Sequence, residues 1–87
     1  MITMMKFGAA WCGPCRTIAP VVEKLAADYA GRVTLDAVDI EERPEVAQRF
    51  GITNIPTLLV LKEGRVVAQI VGAVPRSRIE DALRKAL

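Results

Sequence analysis

Trp11-Cys12-Gly13-Pro14-Cys15 holds both cysteines of an 87-residue chain that contains no histidine. Two thiols this close in sequence can form a disulfide with each other, and so short a loop restrains an unfolded chain very little. The pair therefore reads as chemistry rather than as a staple. It is a dithiol suited to carrying two electrons, cycling to a disulfide and back. A zinc site normally needs four ligands, and with no histidine and no third cysteine only a dimer could complete one. An iron–sulfur cluster shared between two chains meets the same objection. A plain buried cysteine pair is the remaining structural reading.

The elements that must position this pair alternate in hydrophobic period. Residues 2–8 are nearly all apolar and predict a strand covered on both faces. A helix is expected to begin near Cys12 to Pro14, because proline suits a first turn where its missing N–H is not needed. Ile18, Val21, Val22, Leu25, Ala26 and Tyr29 form one apolar stripe; Pro20 is expected to kink this helix and Gly31 to stop it. Val33 to Ile40 predicts a second strand, and Pro44 to Phe50 a short helix with Gly51 past its end. Thr57 to Leu61 and Val66 to Val71 predict a hairpin about Glu63-Gly64. Pro75 opens a last helix with the stripe Ile79, Ala82, Leu83, Ala86 and Leu87. The order β-α-β-α-β-β-α implies an α/β fold: a four-stranded mixed sheet with helices on both faces, its first two strands parallel through a right-handed crossover.

Length and composition set outer bounds. The length predicts one small domain, and 52% apolar with 25% charged residues is ordinary for a soluble globular protein. A net charge of +2 and few aromatics give no argument for nucleic acid or an anionic membrane surface. Met1 to Gly8 is short, is interrupted by Lys6 and lacks a basic leading region, so it reads as a strand rather than a signal peptide. No apolar run approaches the roughly 20 residues that span a bilayer. Two cysteines confined to one CxxC pair favour a reducing, cytoplasmic compartment.

With these segments in place the chain resembles the thioredoxin family. The resemblance is carried by Trp11-Cys12-Gly13-Pro14-Cys15 followed by Ile18-Ala19-Pro20, by Phe50-Gly51-Ile52 leading into Ile55-Pro56-Thr57-Leu58, by Lys62-Glu63-Gly64, and by Val71-Gly72-Ala73. It implies a minimal thioredoxin fold and a protein disulfide reductase that works as a monomer. No cofactor is implied beyond the redox-active disulfide. The implied partners are a thioredoxin reductase or similar electron donor and oxidised protein substrates such as peroxidases or ribonucleotide reductase.

At the tip of the first helix, unpaired N–H groups and the helix dipole favour negative charge, so Cys12 is expected to ionise below the free-thiol range. Cys12 is assigned as the nucleophile and Cys15, one turn inward and more buried, as the resolving thiol. Gly13 and Pro14 set the turn between them. The resemblance places Trp11 on the substrate surface, where a large aromatic suits protein contact, although it could simply pack. It also implies a cis Ile55–Pro56 bond, with backbone around Ile55 exposed for strand-like pairing with substrate. Gly72 reads as ordinary turn chemistry, or by resemblance as a residue keeping the surface flat near the disulfide.

Two departures stand out. Typical members begin with a further strand and helix, so this chain is glutaredoxin-sized, and its 33–40 strand is expected at the sheet edge, guarded by Asp36 and Asp39. Lys6 stands where the family usually has a buried aspartate, and Ala37 aligns with that aspartate's partner lysine. Lys6 reads either as a snorkelling surface lysine or as a cation beside Cys15, paired diagonally with Asp39, that stabilises a Cys15 thiolate. Two other functions compete with the reductase. A glutathione-dependent glutaredoxin fits the length, but Val71-Gly72-Ala73 replaces the Gly-Gly segment expected there. A redox-independent subunit of a larger assembly is the third.

Overall fold

In the computed structural model, which describes residues 1–87, the apolar segments become β1 (Ile2–Gly8), α1 (Gly13–Asp28), β2 (Val33–Asp39), α2 (Pro44–Arg49), β3 (Thr57–Lys62), β4 (Arg65–Val71) and α3 (Arg76–Ala86). The strands form one mixed sheet in the order β2-β1-β3-β4. β1 runs parallel to β2, with Ile2 opposite Val33 and Gly8 opposite Asp39. It runs antiparallel to β3, with Lys6 opposite Leu58. β3 and β4 are antiparallel partners. Their two-residue connection has positive φ at both Glu63 (51°) and Gly64 (79°), the backbone sign that matches the right-handed twist of a tight hairpin. β2 lies at the sheet edge, as the resemblance implies.

Strand alternation assigns the two faces. Ile2 and Met4 of β1, Leu58 and Val60 of β3 and Ile70 of β4 pack against Ile18, Val22 and Leu25 of α1 and Ile79, Leu83 and Ala86 of α3. Met5, Phe7, Val38, Leu59 and Leu61 point the other way, toward Ala47 of α2. Phe50, just past α2, sets its ring 6.1 Å from that of Phe7. Helices thus cover both faces, and the near-continuous apolar run of β1 follows from its burial on both sides.

The expected boundaries hold to within one residue except at the end of α1. α1 ends at Asp28 with Tyr29 as its cap, and Gly31 takes φ 91° two residues later in the turn into β2. α1 also runs on through Pro20, which is exposed, so the Arg16 carbonyl that loses its helical donor is on a side water can reach. The last helix begins at Arg76, with Pro75 as its extended N-cap rather than its first helical residue.

Candidate active site

The connection from β1 to α1 is a short turn that leaves Cys12 at the head of the helix. The Cys12 N–H donates to the Ala9 carbonyl at 3.1 Å, and the Arg16 N–H donates to the Cys12 carbonyl at 3.2 Å as the first helical bond. Cys12 is the N-cap residue, with extended backbone (φ −87°, ψ 111°). Its sulfur accepts the N–H of Cys15 at 3.2 Å, the place usually filled by the oxygen of a serine, threonine or aspartate cap. Pro14 lies in the first turn, and no acidic side chain is there to offset the positive end of the helix dipole.

Cys12 and Cys15 are joined as a disulfide with Cα atoms 5.3 Å apart. Both are buried, Cys12 at 6% exposure and Cys15 at 3%. Their difference is in the direction expected but small. With Ala9 they form a compact cluster against Ile40 and Ile55. Trp11, by contrast, is 65% exposed, so the adjoining aromatic surface is open to solvent rather than part of the core.

The second wall of the site is the segment before β3. The Ile55–Pro56 peptide bond is cis. Thr57, almost fully buried, donates its hydroxyl to the Asn54 carbonyl at 2.6 Å, closing this segment on itself. The Pro56 carbonyl accepts the Gly72 N–H at 2.8 Å, which ties the end of β4 to the same loop. Gly72 has φ 96°, and a Cβ built there would meet no atom within 4 Å. Its backbone sign calls for glycine, while its surroundings have space to spare. Gly13 likewise has open space about it and no positive φ.

Gly8 is a site residue that the sequence reading did not single out. A Cβ on it would lie 3.2 Å from both the Cβ and the Sγ of Cys15. The available signal was a lone glycine closing an otherwise bulky strand, a common mark of close backbone approach. Its carbonyl also accepts the Ile40 N–H at 2.9 Å, joining the turn to the end of β2.

Lys6 and Asp39 line a cavity of about 240 Å³ together with Cys15, but they form no ion pair with each other. The expected diagonal pairing fails because the Asp39 carboxylate turns to accept the Glu41 N–H at 2.8 Å, capping the turn that leads to α2. Asp36 on the same strand pairs instead with Arg43 at 2.8 Å. No group of three or more cysteine, aspartate or glutamate side chains converges as a metal site would require, and no helix is long and apolar enough to cross a membrane.

What this arrangement can do is exchange disulfides: two vicinal sulfurs at a helix tip, beside an exposed aromatic and a backbone loop. Comparison with known proteins points the same way. The thioredoxin family profile matches residues 1–85. The chain is 44% identical over 82 residues to thioredoxin 2 of Chlorobaculum tepidum, covering 94% of this chain and 75% of that protein. It is 44% identical over 84 residues to thioredoxin 1 of Nostoc, covering 97% and 78% respectively. Against the thioredoxin of Staphylococcus aureus it is 42% identical over 86 residues, covering 99% of this chain and 83% of that one. With a CxxC disulfide seated at the head of α1 and these relatives on either side of it, the chain belongs to the thioredoxin family and is a protein disulfide oxidoreductase.

Proposed function

We propose that this protein reduces disulfides in other proteins, with Cys12 as the attacking sulfur and Cys15 as the resolving one. The Cys12 thiolate attacks one sulfur of a substrate disulfide. A Cys12–substrate disulfide forms, and the other substrate sulfur leaves as a thiolate and takes a proton from water. Cys15, as thiolate, then attacks the Cys12 sulfur. The Cys12–Cys15 bond forms and the first substrate sulfur departs in turn. Two electrons pass from the dithiol to the substrate, and an external dithiol donor restores the starting state.

The observation that carries this reading is the Cys12–Cys15 disulfide at the N-cap of α1, with the Cys12 sulfur held by the Cys15 N–H. That N–H and the unneutralised helix end favour negative charge on Cys12 in the reduced protein. The order of roles follows, because the sulfur that accepts the N–H is the one prepared to be a thiolate. Trp11, Ile55, Pro56 and Gly72 supply the substrate surface. The exposed ring offers contact area, and the loop offers backbone groups to an extended segment around the target disulfide.

On the same reading the electron donor is a thioredoxin reductase or an enzyme of that type, the substrates are oxidised proteins, and no separate cofactor takes part. A chain whose two cysteines serve only this pair fits a monomer in a reducing cytoplasm. The test is reduction of insulin by dithiothreitol with and without the protein. Acceleration that disappears in Cys12→Ser supports the proposal, and equal rates with and without the protein sink it. Turnover with a thioredoxin reductase, set against turnover with glutathione and its reductase, identifies the class of donor.

A further inference from the structure

The resolving step needs negative charge on Cys15, and the helix tip does not supply its stabilisation. Cys15 is 3% exposed, and burial disfavours a thiolate. Its own N–H is committed to the Cys12 sulfur. Ile40 and Ile55, which complete the surroundings of the cysteine pair, carry no charge. Another group must offset the charge on Cys15.

The cavity behind the disulfide holds three charged side chains: Lys6 from β1, Arg16 from α1 and Asp39 from β2. Arg16 is exposed, and Asp39 is held by the Glu41 N–H. Lys6 is the half-buried cation, and no carboxylate of the chain pairs with it. Strand alternation puts Lys6 on the same face of β1 as Gly8, the residue that Cys15 touches. Two residues of strand separate their Cα atoms by roughly 6.6 Å, a span that the four-carbon stem of a lysine covers. Lys6 and Cys15 thus line one cavity, with the Cys15 contact on Gly8 within the reach of a lysine stem.

We propose that Lys6 is a positioning residue for the resolving step, holding Cys15 as a thiolate while it attacks the Cys12–substrate disulfide. The proposal rests on the exchange mechanism above. The proton of Cys15 leaves to water entering the cavity over Ala37, which is exposed on the edge strand. The Cys15 sulfur then bonds to Cys12, the Cys12–substrate bond breaks, and the substrate leaves as a thiolate. Lys6 acts through its charge and transfers nothing. Asp39 lines the same cavity, so the two charges act on Cys15 with opposite sign.

The experiment is a single turnover of the reduced protein with dithiobis(nitrobenzoate). Attack by Cys12 releases the first nitrothiobenzoate, and attack by Cys15 releases the second. Both phases are followed by absorbance from about pH 5 to about pH 10. Lys6→Met is expected to leave the first phase unchanged and to move the midpoint of the second upward by about one pH unit, slowing it about tenfold near neutrality. Lys6→Arg is expected to keep the wild-type profile. Lys6→Gln, which keeps a polar tip without the charge, is expected to show the same upward shift of the second midpoint, and it tests the proposal should Lys6→Met fold poorly. An unchanged second phase in the folded neutral variant overturns the role of Lys6, as does an equal slowing of both phases. Absence of any second release from the wild type overturns the exchange mechanism instead.

Discussion

Gly8 and Cys15 meet so closely that a methyl group on the Gly8 Cα would stand 3.2 Å from two atoms of the cysteine. One of them, the Cys15 Cβ, is anchored to the backbone of α1 and cannot swing aside. Gly8→Ala is therefore expected to push α1 away from the end of β1 by a few tenths of an ångström. Overpacking of this kind costs about 1–3 kcal/mol. Denaturant unfolding of the oxidised protein measures the loss, and an unchanged midpoint contradicts the contact. Reductase activity is expected to fall further than stability alone explains, because the displaced residue is the proposed resolving thiol.

Replacing Cys12 by serine separates chemistry from capping. Serine is among the best N-cap residues, and its hydroxyl can accept the Cys15 N–H now taken by sulfur. Cys12→Ser is expected to abolish insulin reduction while leaving the stability of the reduced protein within about 0.5 kcal/mol of wild type. Cys15→Ser is expected to accumulate a covalent Cys12–substrate adduct, visible by mass spectrometry, since the first attack proceeds and the second cannot. A substrate adduct that accumulates in Cys12→Ser and not in Cys15→Ser would reject the assigned roles.

On the proposed reading Trp11 supplies contact area to the substrate without holding up the fold. At 65% exposure it has little native packing to lose, so Trp11→Ala is expected to change the unfolding midpoint very little. The KM for a protein disulfide is expected to rise several-fold, while the rate with a small aromatic disulfide stays near wild type. A parallel loss with both substrates would place Trp11 in the chemistry instead.

A cluster of ion pairs fastens α1 to α3 and predicts how the fold responds to acid. Tyr29 donates its hydroxyl to Glu80 at 2.8 Å, and Asp28 pairs with Lys24 at 2.7 Å and with Arg76 at 2.8 Å. The Tyr29 hydroxyl, aided by Arg84 and Arg76, holds the Glu80 carboxyl below its ordinary value of 4.5. Hydrogen bonds from Lys24 and then Arg76 hold Asp28 below 3.8. Both carboxyls bind protons more weakly folded than unfolded. Their contribution is therefore complete above those ordinary values and fades as pH falls through them, vanishing below the depressed folded-state values. Asp28 is exposed and Glu80 only partly buried, so the effect is expected to be small and to shrink with added salt. Thermal unfolding from neutral pH down to about pH 3 checks this, with Glu80→Gln expected to flatten part of the slope.

The backbone plan was legible in the residues because its determinants are local. Alternation of apolar positions separates strands from helices. Pro14 and Gly64 mark a helix start and a hairpin, and the two-residue spacing of Cys12 and Cys15 puts both sulfurs on one helical turn. The edge position of β2 was expected from the family resemblance, not from the order of elements. The boundary errors are local too. Tyr29 ends α1 before Gly31 because the turn into β2 needs three residues, with the Val33 N–H returning to the Tyr29 carbonyl at 3.0 Å.

Side-chain partnerships were a different matter. Lys6 and Asp39 have opposite charges and lie near each other, yet Asp39 answers to the Glu41 N–H, two residues along its own chain. Tyr29 and Glu80 are 51 residues apart and bond directly, and nothing in the spacing of either announces it. Sequence by itself determined which residues could carry electrons, which segments would be strands or helices, and that the cysteines would stand at a helix tip. Tertiary structure alone decided that Gly8 is the floor beneath Cys15, that Lys6 shares its cavity without a carboxylate partner, and that the cis Pro56 segment is tied to Gly72. Periodicity and turn chemistry act over a few residues, whereas these contacts depend on through-space distances that exist only once the sheet and its helices have packed.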